Sequence, residues 1–160
     1  MSLMTDHVRK LCLLGDSGVG KSAIAARLGA SPAARPDGLW VHYWTAPESN
    51  IPCALWDLRG RSSLDSLSQA FLAHADGFAL IADAGNHESI EAALQVGQMA
   101  AKLIGERPQV LILNQFDGAV ASAEVAAKLA PNVPAFVVSA GTGEGVEAAF
   151  GHLAQAVSTV

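Results

Sequence analysis

No apolar stretch in the sequence reaches the roughly 18 residues that a membrane-crossing helix needs. Its first residues also lack the charged-then-apolar pattern of a secretion signal. A water-soluble, cytoplasmic protein is therefore expected. Cysteine is scarce: Cys12 and Cys53 are the only two. Each sits inside an apolar run that reads as a strand, so two reduced core thiols are expected rather than a disulfide. Charge is sparse as well, at 16% of 160 residues, and its balance is acidic, with a formal net charge of -5. With no run of Lys or Arg, there is no electrostatic footprint for nucleic acid or for an anionic membrane surface. His7, His42, His74, His87 and His152 show no metal-ligand spacing, and no nucleophile–base constellation is present. Ser158-Thr159-Val160 offers no terminal cysteine for prenylation, and Ser2 is not the glycine that myristoylation requires. Because Met4 provides a second start residue, positions 1–3 are set aside as an expression remnant, leaving 4–160 as one expected domain.

Half of the residues are apolar, and a single domain of this size buries roughly 70% of its unfolded surface, so a packed core is expected. Val8–Leu14 is a short apolar run that ends in Gly15 and fits a fully buried strand. Ser22–Leu28 reads as a short helix stopped by Gly29, Ser31 and Pro32, and an Ala- and Pro-rich loop follows. Leu39–Thr45 and Ile51–Asp57, separated by Pro47, Ser49 and Asn50, read as an antiparallel hairpin. Beyond it, helix and strand alternate. Helices are expected over Leu64–Leu72, Ser89–Ile104, Ala121–Leu129 and Gly145–Val157, with strands at Phe78–Ala82, Val110–Leu113 and Ala135–Val138. Such alternation predicts an α/β domain with right-handed crossovers and helices on both faces of a mainly parallel sheet.

Between the first strand and the first helix lies Gly15-Asp16-Ser17-Gly18-Val19-Gly20-Lys21-Ser22, which satisfies the phosphate-loop pattern G-x-x-x-x-G-K-S in the strand–helix context it requires. Glycines let the backbone turn its N–H groups round phosphate oxygens, Lys21 supplies a point charge, and the Ser22 hydroxyl can ligate Mg²⁺. The bland alternative is a Gly-rich turn, which does not account for the Lys-Ser pair.

Two further motifs fall at strand ends. Asp57-Leu58-Arg59-Gly60 places a carboxylate where it can approach Mg²⁺, and the Gly60 N–H where it can meet a terminal phosphate. Asn114-Gln115-Phe116-Asp117 follows the fifth strand, on the carboxyl edge where ligands bind in open α/β sheets. There the Asp117 carboxylate can accept from guanine N1–H and the 2-amino group, whereas adenine carries an acceptor at N1 and no 2-amino donor. A plain turn at Asp117-Gly118 is the alternative. A P-loop kinase or ATPase is disfavoured by Asp117 and by the lack of a basic lid segment.

With these residues in place, the chain resembles the Ras superfamily of small GTPases over nearly its whole length, and Lys10–Ser22 looks especially like the Rab branch. Gly15–Ser22, Asp57–Gly60, Asn114–Asp117 and Ser139-Ala140 occur in the family's order. The resemblance implies a P-loop G domain with a six-stranded, mostly parallel sheet and one antiparallel edge strand. It also implies GTP/GDP and Mg²⁺ as ligands, Ser22 and Asp57 at the metal, and the Ala140 N–H on guanine O6. Several positions depart from the family. Arg61 stands where the water-orienting Gln is found; its guanidinium has no acceptor, so slow hydrolysis is expected, although an exposed Arg with no part in chemistry is equally open. Gln115 and Gly141 each replace a Lys, and no Thr aligns with the metal-ligating residue of the shortened loop before the hairpin. The expected function is a slow GTP/GDP switch read by a soluble protein partner. The alternative is a protein-interaction module that keeps the fold and binds nucleotide weakly or constitutively. Trp40, His42 and Trp44 alternate along the strand that the resemblance places at the sheet edge. They are expected either to recruit a partner or a second copy by strand addition, or to pack against a terminal helix.

Overall fold

The computed structural model describes residues 7–16, 18–29, 32–34, 39–58, 69–116, 128 and 130–158. Among these, β1 (Arg9–Leu14), β3 (Leu39–Thr45), β4 (Pro52–Leu58), β5 (Gly77–Asp83), β6 (Gln109–Asn114) and β7 (Ala135–Val138) form the six-stranded framework, and Pro32–Ala34 adds a short β2. The helices are α1 (Lys21–Ala26), α2 (Gln69–Leu72), α3 (His87–Ile104) and α4 (Val146–Ser158). Strand order is β2-β3-β4-β1-β5-β6-β7. From β4 to β7 every pairing is parallel, and β2 and β3 join antiparallel.

The central strands alternate sides with nothing polar to expose. Leu11 and Leu13 of β1, Ala79 and Ile81 of β5 and Val110 and Ile112 of β6 pack with Ile24 of α1 and Phe150 and Leu153 of α4. Their neighbours Cys12 and Leu14, Phe78 and Leu80, and Leu111 and Leu113 pack on the other face with Leu72 of α2 and Ile90 and Leu94 of α3. A period-2 backbone covered on both faces needs continuous apolar runs, which explains why these strands carry no polar alternation. Helix α3 starts two residues earlier than its hydrophobic pattern suggests because Asn86 caps it: the side chain accepts from the Ser89 N–H at 3.2 Å. The helix expected over 121–129 lies outside the described residues except for Lys128, and that over 64–72 is described only from Gln69.

One expectation is corrected. The strand bearing Trp40, His42 and Trp44 is not the sheet edge, because β2 pairs along its outer side with Pro32 opposite His42 and Ala34 opposite Trp40. The Ala/Pro stretch read as loop is compatible with an outermost strand, since proline is tolerated as the first residue of an edge strand, where its missing N–H is not needed. The rings are also engaged inward: Trp44 is 8% exposed and meets Phe150 of α4 edge-on, with centroids 6.4 Å apart at 78°. His42 is buried, and Tyr43 on the opposite face is the exposed aromatic of this strand. Packing against the terminal helix thus accounts for Trp44's place in the pattern.

Candidate functional site

The phosphate loop hangs between the ends of β1 and α1, and its shape depends on close approach. Gly15 has φ +156°, and a Cβ there would stand 2.4 Å from the Ile81 carbonyl oxygen of β5; Gly20 has φ +100°, and a Cβ there would stand 2.5 Å from Asn114 Nδ2. Both sites exclude a side chain for backbone conformation and for space. Lys21, the first residue of α1, is 9% exposed and curls back over the loop, its Nζ donating to Gly15 O at 2.5 Å and Asp16 O at 3.3 Å. Burial pulls its ammonium below the usual lysine range, while the Asp57 and Asp16 carboxylates push the other way.

Ser22 at the start of α1 and Asp57 near the end of β4 meet. The Ser22 hydroxyl donates to Asp57 Oδ2 at 2.6 Å, and Asp57, held at the end of β4 opposite Trp40 of β3, is fully buried. Two hard oxygens this close suit Mg²⁺: adjacent ligands of an octahedral ion at about 2.05 Å are about 2.9 Å apart, so the pair would open by only ~0.3 Å. Among the described residues no group of three or more His, Cys, Asp or Glu gathers as a metal cluster.

Asn114 joins the two ends of the site. It is 1% exposed, its Nδ2 donates to Val19 O of the phosphate loop at 3.0 Å, and its Oδ1 accepts from Ala140 N at 3.0 Å. The Ala140 N–H, which the resemblance assigns to guanine O6, here donates to Asn114 Oδ1 instead. Ser139 anchors the same turn by accepting from Thr142 N at its Oγ and from Gly143 N at its carbonyl. Gln115 continues the β6–β7 ladder through its N–H to Val138 O at 2.8 Å. Asp16 and Gly18 are exposed at the rim, and Val19 is buried beneath it. Ser17, Gly60, Arg61 and Asp117 lie outside the described residues.

Beside the loop is a hollow of about 450 Å³ lined by Asp16, Gly18 and Val19, by Asp83 at the end of β5, and by Asn86 and Glu88 at the start of α3. Its carboxylates repel anions. A separate hollow of about 410 Å³ between the β3–β4 turn and α4 includes no phosphate-loop residue.

Two residues not singled out from sequence belong to the surroundings. Phe116 is 42% exposed, and its ring reaches to 4.0 Å from where a Gly20 side chain would begin. Arg27, just past the end of α1, bonds to Ala140 O at 2.7 Å and also to Gly141 O. The signal for Arg27 was its position as the sole charge in the otherwise apolar stretch Ala23–Leu28.

A P-loop between β1 and α1, with a serine–carboxylate pair beside it and an Asn-bridged turn at the carboxyl edge of a mostly parallel sheet, defines a P-loop nucleotide-binding α/β domain. Residues 10–117 match the family model of Roc, the Ras of Complex domain of DAPkinase. Over 167 residues the chain is 28% identical to Ras-related protein SEC4 of Candida albicans, covering 95% of this chain and 78% of the relative. Over 84 residues it is 31% identical to Ras-related protein RABC1 of Arabidopsis thaliana, covering 49% of this chain and 39% of that one. The chain belongs to the Ras superfamily of small GTPases, on its Rab-like side. No helix among the described residues is long and apolar enough to cross a membrane.

Proposed function

We propose that this domain is a guanine-nucleotide switch that hydrolyses GTP slowly and is read by a soluble protein partner in the cytoplasm. The observation that carries the reading is the joining of a phosphate end and a base end through Asn114, which bonds to Val19 O and Ala140 N. In this reading Lys21 exchanges the Gly15 and Asp16 carbonyls for phosphate oxygens, and the amides of residues 18–21 wrap the same anion. Ser22 and Asp57 would hold Mg²⁺, which when bound supplies positive charge at the outer phosphates. Asp117, three residues after Asn114 in sequence, would select guanine. Gly60 meets the terminal phosphate, and Arg61, lacking an acceptor, cannot orient the attacking water as a glutamine would.

The direct test is to release nucleotide from purified protein, identify its base and phosphate count, reload it with GTP and Mg²⁺, and follow phosphate release over hours. Guanine nucleotide with slow turnover, speeded by Arg61→Gln, is expected. Bound ATP, or no bound nucleotide and no GTP uptake, would overturn the reading. An unchanged rate in Arg61→Gln would remove that residue from the explanation of slowness. A partner read by strand addition is less supported than the sequence suggested, since β2 already pairs with Trp40–His42.

A further inference from the structure

We propose that Arg27 is a positioning residue for purine recognition, setting from the end of α1 the direction in which the 139–144 turn presents its N–H groups to the base. The inference rests on the guanine-nucleotide reading and goes beyond it in naming the device that shapes the base end.

The hydrogen bonds of the turn leave little freedom. Ser139 N donates to Glu144 O at 2.9 Å, Ala140 N to Asn114 Oδ1 at 3.0 Å, Thr142 N to Ser139 Oγ at 3.2 Å, Gly143 N to Ser139 O at 2.7 Å and Glu144 N to Thr142 Oγ1 at 3.2 Å. Among the described residues, the N–H of this turn with no acceptor is that of Gly141. On the other side of the backbone, Arg27 Nε donates to Ala140 O at 2.7 Å and Nη2 to Gly141 O. Within a planar trans peptide the carbonyl and the following N–H point in opposite directions. Gripping the Ala140 carbonyl therefore turns the Gly141 N–H away from the guanidinium and leaves it as the donor available to a keto oxygen.

Guanidinium chemistry suits this task. Its planar fork offers separate nitrogens at fixed spacing, Nε to one carbonyl and Nη2 to the next, so the two bonds fix direction as well as distance. Gly143, at φ +86°, makes room: a Cβ there would stand 3.3 Å from Arg27 Cδ, so the absence of one lets the arginine stem lie along the turn. The contacts are solvent-exposed, and exposed hydrogen bonds add little to folding. Their consequence is orientation. Because α1 begins with Lys21 and Ser22, the same short helix ties phosphate and metal contacts to the base turn.

The test uses the full chain loaded with fluorescently labelled GDP or 6-thio-GDP, which differ in the acceptor at purine position 6. Wild type is expected to prefer GDP. Arg27→Ala should release GDP about tenfold faster, the scale of one charge-assisted hydrogen bond, and should narrow the preference for GDP over 6-thio-GDP, with its thermal midpoint nearly unchanged. Arg27→Lys should recover only part of both effects. Unchanged GDP release in Arg27→Ala, or equal weakening of both ligands with the preference intact, overturns the inference while the switch reading stands. A wild-type protein that binds neither nucleotide removes the switch reading, and this inference with it.

Discussion

Replacing Asn114 with alanine should damage stability and nucleotide affinity together, and the size of the first effect follows from the geometry. The side chain is 1% exposed and makes two hydrogen bonds of 3.0 Å to backbone groups from segments far apart in sequence, Val19 O and Ala140 N. Alanine leaves both groups without their partner. A buried group so abandoned costs about 1–3 kcal/mol. Val19 is buried, so its carbonyl falls toward the upper part of that range, whereas the half-buried turn at Ala140 can recruit water and falls toward the lower. The sum is about 2–4 kcal/mol, a large share of the ~5–15 kcal/mol that stabilises a domain. It corresponds to roughly 5–15 °C in thermal midpoint at this size.

Asn114→Asp is the informative companion because it keeps the shape. One carboxylate oxygen still accepts from the Ala140 N–H, but the other confronts Val19 O, acceptor against acceptor, where the amide had donated. Only the protonated carboxyl restores a donor there. Burial and the opposed carbonyl raise the folded-state pKa of this carboxyl above its unfolded value of about 3.9. The resulting stability is fully present below about pH 3.9 and is lost as pH rises through the folded value. Urea melts at pH 5 and pH 8 decide the matter: the deficit of Asn114→Asp relative to wild type should grow with pH, while that of Asn114→Ala should be nearly the same at both. An Asn114→Ala cost below about 0.5 kcal/mol, within the range of surface substitutions, would refute the idea that this amide holds the two ends of the site together.

Lys21→Ala should abolish nucleotide binding measured by calorimetry. In the wild type, affinity should be full below the depressed Lys21 value and decline as pH rises through it, before the usual lysine range near 10.5 is reached; binding that is indifferent to pH up to 10.5 would contradict a charged Lys21 on the phosphates. Trp44→Ala should cost about 3–5 kcal/mol in denaturant melts, because it empties the packed contact with Phe150 under α4; a surface-like cost would mean that the ring is not part of the core. Burial raises the Cys12 thiol to about 12 and that of Cys53 to about 11. Both should resist alkylation in the native protein at pH 8 and react only in denaturant. The pair also makes stability fall as pH climbs from the ordinary thiol value of 9.0 through these values, a slope that Cys12→Ala should reduce.

The phosphate loop, the serine–carboxylate pair and the Asn at the end of β6 were legible in the sequence for one reason: the chemistry of holding an anion and a hard cation fixes residue types at fixed spacing. Buried strands were legible because sheets covered on both faces need continuous apolar runs, as in Leu11–Leu14 and Val110–Leu113. What escaped was whatever depends on two distant segments arriving at one place. The three residues of β2 carry no pattern, and they become a strand because β3 offers an unpaired edge to them. The Asn114–Val19 bond spans 95 residues and the Arg27–Ala140 bond spans 113; neither spacing follows from local propensity, since each is set by the parallel order of β1, β5, β6 and β7. The contacts found only from the fold are thus those that connect the motifs. A chain retaining every motif while losing Arg27's fork would still read as the same domain, yet its base turn would no longer be gripped from the end of α1. Nucleotide release measured on such variants therefore probes the fold's contribution to recognition separately from that of the motifs.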